Sequence, residues 1–397
     1  MHSPTPLPER PLPPTVRGLG WTSFLTDLSS EAIYPLLPAF VMRELGGSAL
    51  SVGLLDGVAN LVAALVRLPS GALSDRIGRR PLILIGYGVS ALVRPLMGLV
   101  ATPWGALVVR AADRFGKGVR TAPRDALVAD LVPTESRGRA FGHIRALDHA
   151  GAALGPLVAM LFLLACPGRE RLLFLLSVVP GIVTLLVIWR LVHDPPQTTP
   201  RATETALVGR LDRGQWPLLV SVAVWALGAS SEQFLLLRAA DLGVSQPLVP
   251  LVWLGVSFAK GAAATRAGRL ADRFHPRRSL AAGWLLFAAG YAGLALAPGL
   301  ALALPMMVVI AIAYGLAEPA ERALVAAIAP AGRQGGAFGW YALVQGAMAL
   351  PAGLLAGWLW QQGPHGPSWA FGATAVLSVL ACGLLMAPSG PTAVGSE

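Results

Sequence analysis

Residues 110–126 read RAADRFGKGVRTAPRDA and place five cations and two acids in a stretch whose flanks are apolar. Asp113, Lys117, Arg120 and Arg124 recur at i, i+4, i+7 and i+11, so a helix carries them on one face. Arg110, Arg114, Thr121 and Asp125 form the neighbouring stripe. Three kinds of chemistry are open to such a face: ion pairing between helices, proton binding by a carboxylate, and capture of a charged solute. Bond-making chemistry is not indicated. The chain has no HExxH, no GxSxG and no GxxxxGKS/T, so neither an enzyme nor an ATP-driven machine is expected, and no cofactor is called for.

Groups able to answer that face occur elsewhere. Asp27 and Glu31 stand one helical turn apart in an early apolar segment, and Arg145, Asp148 and His149 lie in a later one. The five cations of 110–124 against Asp113, Asp125 and Asp130 leave +2; Asp27 and Glu31 supply −2, and Arg145 cancels Asp148. Such balance suits a buried network that fixes helix register. It suits equally a set in which one acid takes and releases a proton: Asp27, Glu31 or Asp148, with His149 as a relay. The later part of the chain is less charged, offering Glu232, Lys260, Glu318, Glu321 and Arg322, with Trp340, Tyr341 and Gln345 beside them. Cys166 and Cys382 sit in apolar surroundings without a CxxC pair and read as packing residues, and no metal site is indicated.

The elements that carry these residues are set by composition. Mean hydropathy is +0.62, with 54% hydrophobic and 13% charged residues over 397 positions, which is too apolar for a soluble globule. Apolar runs of about 20 residues match a hydrocarbon core of roughly 30 Å, and they do not alternate as barrel strands would. Twelve spans are read near 17–41, 51–74, 81–101, 104–132, 138–165 and 171–192, then 216–239, 248–270, 279–298, 301–329, 335–360 and 367–388. This predicts an all-α integral membrane fold of two six-helix halves, 17–194 and 216–388. A polar linker at 195–215 joins them, and a proline-rich disordered tail at 1–16 and a short tail at 389–397 flank them. The 1–16 segment has six prolines and no cationic run before a short apolar one, so no cleaved signal peptide is expected. Arginines gather in alternate loops (76, 79, 80; 137, 139; 201, 210, 213; 273, 277, 278; 333), which places both termini in the cytoplasm. The net charge of +10 follows these loops, so the partner it implies is a bilayer surface and not nucleic acid.

The halves repeat. GALSDRIGRRP at 71–81 aligns with GRLADRFHPRR at 268–278, and GVRTAPRDALVADLVPTESRGRAFG at 118–142 aligns with GLAEPAERALVAAIAPAGRQGGAFG at 315–339, both at an offset of 197. Duplicated halves of this kind place a substrate site near the midplane between them.

On these residues the sequence resembles the major facilitator superfamily over spans one to twelve. Gly71, Asp75, Arg76, Gly78, Arg79 and Arg80 match that family's signature loop between spans two and three. Asp272 and Arg273 keep part of it in the second half, with His275 where the second glycine stood. The resemblance implies a conformational latch at these residues and transport by alternating access. Gly142, Gly151 and Gly155-Pro156 resemble the family's antiporter signature, with Ala159-Met160 replacing its final small pair, and imply export in exchange for protons. The family's fourth-span pattern has an arginine before a GxG; Gly116 and Gly118 are present, but Arg110 is two residues out of register, so Arg114 or Lys117 stands in for it. The expectation is a monomeric inner-membrane carrier resembling the drug:proton antiporter branch, with a small molecule and protons as partners. A carrier for an anionic solute or metal ion, and a non-transporting receptor on the same fold, remain open at this point.

Overall fold

The computed structural model describes residues 11–133, 136–195, 215–229, 231–271, 276–328 and 334–387. Asp272 and Arg273, and nearly all of the linker, lie outside the described residues. Twelve helical rods make up the described chain: α1 (Pro14–Ile33), α2 (Ala49–Ile77), α3 (Arg79–Val93), α4 (Pro103–Leu131), α5 (Arg137–Ala165), α6 (Glu170–Leu176 and Val178–Leu191), α7 (Trp216–Gly228 and Gln233–Asp241), α8 (Val249–Ala271), α9 (Pro276–Ala295), α10 (Leu300–Ile328), α11 (Gln334–Trp360) and α12 (Gly366–Met386). Nine of the described rods are long and apolar enough to cross a membrane. The remaining three are α1, α4 and α9; in α4 the reason is eight formal charges.

Local signals set the ends. The Thr102 hydroxyl accepts from the Gly105 N–H at 3.1 Å, and Pro103 opens α4. Ser48 and Ser51 form a reciprocal cap on α2. That helix stops at Gly78, whose φ of +96° only glycine adopts at little cost. Two rods depart from the continuous helices the hydropathy predicts. Beyond Ile33, Pro35 and Pro38 withhold N–H donors, and α1 continues as a 3-10 turn, a short α segment and a π turn to Glu44. In α7 the helix stops at Gly228 and resumes at Gln233, and Ala229, Ser231 and Glu232 between them line an internal cavity. Broken backbone at membrane depth is tolerated where it lines a polar cavity.

Helices α1 to α6 pack as one half and α7 to α12 as the other, with α2 crossing α11 and α5 crossing α8 between them. The α2–α11 crossing has almost no side chain in it. A Cβ at Gly53 would lie 2.0 Å from the Gly353 carbonyl oxygen, and one at Gly357 would lie 2.6 Å from the Leu50 Cα. The halves are thus pressed together at the end carrying residues 45–48 and 361–365. Toward the other end, which carries the 71–81 loop, they enclose a cavity of about 740 Å³ lined by residues such as Gly71, Asp125 and Arg322. On the outer surface large apolar side chains are exposed, Leu296 at 80% and Phe258 at 74%, as a lipid-facing wall requires.

Candidate functional site

The charged face of α4 is positioned by glycine. A Cβ at Gly116 would meet the Gly86 carbonyl oxygen at 2.5 Å and one at Gly118 the Ala63 oxygen at 2.8 Å, so α4 seats directly on the backbones of α3 and α2. On one side this brings α4 acids and bases onto buried partners. Arg94, at the end of α3, donates to Asp113 Oδ1 at 2.9 Å, to the Ser29 hydroxyl at 2.6 Å and to the Thr26 carbonyl at 3.1 Å. Arg110 donates to Asp56 Oδ1 at 3.1 Å and lies 3.9 Å from Asp113. Asp56 Oδ2 accepts from Tyr34 at 3.1 Å and from Ser231, in the α7 break, at 2.6 Å. Arg120 donates to the Ser90 hydroxyl at 2.7 Å and covers the Tyr87 ring.

This corrects the expected pairing. Asp113 answers Arg94, and the network reaches Asp56; neither Arg94 nor Asp56 was among the sequence candidates. Each is the sole charge of its sign in its span, and that solitude at membrane depth is the signal that points to them. Being opposite in sign, they leave the charge balance at zero. Breaking the pair is costly, because Asp113 then keeps only the 3.9 Å contact with Arg110, which is itself engaged by Asp56. Arg94→Leu is expected to lower stability by about 3–5 kcal/mol, and Arg94→Leu with Asp113→Leu to recover most of it. Thermal melting in detergent reads this, and equal melting temperatures for single variant and wild type would contradict it.

Arg114, Lys117, Arg124 and Asp125 of α4 face the cavity. Lys117 lines all three of its compartments, of about 740, 420 and 290 Å³, and Tyr314 of α10 does likewise, so the three form one chamber. Among the described residues, Arg114 and Lys117 have no carboxylate oxygen within 4.0 Å, and Arg114 Nε is buried without a hydrogen-bond partner. Asp27 also lines the chamber and has no hydrogen bond or ion pair among the described residues. It faces Lys117 and Arg120 of α4, Asp148 of α5 and Glu31 of its own helix. The expected partnership of Glu31 with Arg114 or Lys117 is absent. Glu31 instead accepts from the Trp253 indole N–H of α8 at 2.7 Å, a bond between the two halves.

The other candidates distribute as follows. Arg124 pairs with Asp125 at 3.1 Å and donates to Ser23 at 3.0 Å. Arg145 approaches Asp148 at 3.7 Å with its side chain 61% exposed. His149 is exposed and lines none of the three compartments. Glu232 is held by Lys260 at 3.0 Å, and Glu318 by Arg322 at 2.7 Å on the same helix. Aromatic side chains Trp225, Trp253, Phe287 and Tyr314 wall the chamber on the side of the second half. No cluster of three His, Cys, Asp or Glu able to hold a metal occurs among the described residues.

At the signature loop, Arg79 pairs with Asp75 at 2.5 Å and Asp130 at 3.4 Å and bonds the Ser74 hydroxyl. The Arg80 N–H donates to Asp194 at 3.0 Å and its guanidinium to the Trp189 carbonyl at 2.9 Å, while Arg76 is exposed. All these partners belong to the first half. In the 142–156 pattern, Gly151 and Gly155 seat α5 on α1, where added Cβ atoms would meet Phe24 O at 2.3 Å and Leu28 O at 2.7 Å. Pro156 lies inside α5, and Gly142 has no neighbour within 4 Å, so close approach does not explain it.

The family model described as Major Facilitator Superfamily matches residues 19–237 and 218–396. An uncharacterized MFS-type transporter of Methanocaldococcus jannaschii is 29% identical over 90% of this chain and 91% of its own. The multidrug resistance protein MdtH of Cronobacter sakazakii is 27% identical over 90% of each chain. Among solved structures, the nucleoside transporter NupG aligns with a TM-score of 0.79 at 15% identity, over 94% of this chain and 99% of that one. A bacterial homolog of the human lysosomal transporter Spinster, in an inward-facing and unoccupied conformation, aligns at 0.75 and 19% identity, over 94% and 95%.

Proposed function

The chain belongs to the major facilitator superfamily of membrane transporters, and from that membership we propose that it performs proton-coupled efflux of a small organic molecule across the inner membrane by alternating access. The observation that carries the coupling is Asp27, a carboxylate with no hydrogen bond or ion pair among the described residues, facing a membrane-embedded chamber wide enough for water and opposite Lys117. An acid in such a place exchanges protons with the chamber, and its charge state alters what the neighbouring cations can hold. The name of the relative MdtH supports efflux as the direction. The arginine bias of the loops supports cytoplasmic termini, and with them a chamber open to the cytoplasm in this conformation. Asp75, Arg76, Arg79, Arg80, Asp272 and Arg273 are proposed as the latch that engages when the halves close at that end. A monomer suffices, since the chamber is built by one chain.

Exchange for protons is a second mode, favoured by Gly151 and Gly155, which seat α5 against the α1 backbone beside Glu31. Proteoliposomes with an imposed pH gradient and a luminal pH dye distinguish the modes. Solute flux is expected to depend on the gradient and to carry protons. Acidification of the compartment that receives solute indicates joint movement, and alkalinisation indicates exchange. Flux indifferent to a protonophore would reject proton coupling.

A further inference from the structure

We infer that Arg114 and Lys117 form the seat for an anionic group, and that the transported molecule is an organic anion with a ring-sized apolar body. This rests on the transport reading above and names its substrate class. The two cations present up to eight N–H donors to the chamber, and no carboxylate within 4.0 Å occupies any of them among the described residues. Nearby acids are already engaged: Asp56 by Arg110, Tyr34 and Ser231, Glu232 by Lys260, and Glu31 by Trp253. A carboxylate or sulfonate bridging both would exchange chamber water for charge-assisted bonds from two cations at once.

The shape of the chamber extends the assignment from a bare ion to an organic one. Around Arg114 and Lys117 the compartment of about 290 Å³ is walled by Trp253, Phe287 and Tyr314, which an inorganic anion would leave uncovered. That size joins compartments of about 420 and 740 Å³, a range suited to a small organic ligand. A divalent metal would meet two cations, and the carboxylates of this compartment, Glu31, Asp56 and Glu232, are held by Trp253, Arg110 and Lys260; no group of three His, Cys, Asp or Glu able to hold a metal occurs among the described residues.

The charge count fixes how the anion and the proton influence each other. Arg114, Lys117, Arg120 and Arg67 of α2 face Asp27, Glu31 and Glu321 of α10 around the chamber, with the paired Arg145 and Asp148 beside them. When Asp27 takes a proton, the chamber becomes more positive by one charge, and an incoming anion offsets it. The two ligands therefore assist each other's binding.

The full chain in phosphatidylcholine nanodiscs, titrated with benzoate, 1-naphthoate and benzenesulfonate, tests this against the neutral benzamide and the cationic benzylamine. The anions are expected to raise the melting temperature and the isosteres not to. Arg114→Gln and Lys117→Gln are each expected to weaken Kd by about tenfold or more, and Lys117→Arg to retain binding. Affinity for the anions should rise as pH falls in the wild type and become insensitive to pH in Asp27→Asn. Equal stabilisation by benzamide or benzylamine, no binding by any of the anions, or wild-type Kd in both glutamine variants overturns the assignment. If phosphatidylglycerol in the nanodisc raises the melting temperature of the wild type but not of the Arg114→Gln/Lys117→Gln double variant, and benzoate adds nothing further, the seat belongs to a lipid headgroup and the soluble-anion assignment falls. Binding at equilibrium needs no flux, so anion binding without pH-driven transport rejects the coupling alone, and coupled transport without anion binding rejects this inference alone.

Discussion

Asp27→Asn is expected to reduce pH-driven flux to that of empty liposomes while leaving substrate counterflow in place. The amide has nearly the shape of the carboxyl and no proton to release, so the carrier keeps its binding chamber and loses its coupling. The structure also separates this outcome from simple damage. Asp27 makes no hydrogen bond or ion pair among the described residues, so its neutralisation strands no partner and should cost at most about 1 kcal/mol of stability. Glu31→Gln behaves differently. It exchanges a charge-assisted bond to Trp253 for a neutral one at the contact between halves, so the expected effect is an altered balance between the two facing states. Counterflow and thermal melting, measured on both variants, decide. Full pH-driven flux in a stable Asp27→Asn protein moves the proton site elsewhere, with Glu31 next to be tested.

Gly53→Leu is expected to reverse which end of the protein is closed. Its first side-chain atom would fall 2.0 Å from the Gly353 carbonyl oxygen, and backbone cannot yield as a flexible side chain does. Overpacking of this kind costs about 1–3 kcal/mol, which shifts a two-state equilibrium by about 5- to 150-fold. The opposite state relieves the clash, so the protein folds but rests with that end open and transports poorly. The readout is a cysteine at Val52, which is fully buried beside Gly53. With Cys166 and Cys382 replaced by alanine, it should react with a membrane-impermeant thiol reagent in the leucine variant and not in its glycine parent. An unreactive cysteine together with undiminished transport would show that the crossing tolerates a side chain.

Much of this arrangement was legible in the sequence, because its signals are local or periodic. The polar face of α4 follows from spacing alone, and the two halves follow from a repeat at one offset. The glycines at 116, 118, 151 and 155 were legible as patterns, and the structure gives them a use at helix crossings. Partnerships were less legible. A single charge in an apolar span carries no companion at i+4, so nothing in sequence joins Arg94 to Asp113 or Asp56 to Arg110. Glu31 and Trp253 are separated by 222 positions and meet only because α1 and α8 face each other across the halves. The interruption of α7 was hidden for another reason: apart from Glu232 its residues are small and at most mildly polar, and hydropathy averaged over a span passes over them.

The pairs of α4 also bear on how the chain enters its membrane. Arg94 leaves the ribosome 19 residues before Asp113, and Asp56 leaves it 54 residues before Arg110. At roughly 5–20 residues per second, Arg94 waits about 1–4 s and Asp56 about 3–11 s for a counter-ion. During that interval neither α2 nor the α3 segment is a good guest in lipid, since Asp56 and Arg94 each lie at a depth where a charge without its counter-ion costs several kcal/mol. Release from the insertion machinery is therefore favourable only once α4 has been made. Helices α2, α3 and α4 enter the bilayer as one cargo, and the last to be synthesised carries the charges that let the other two go.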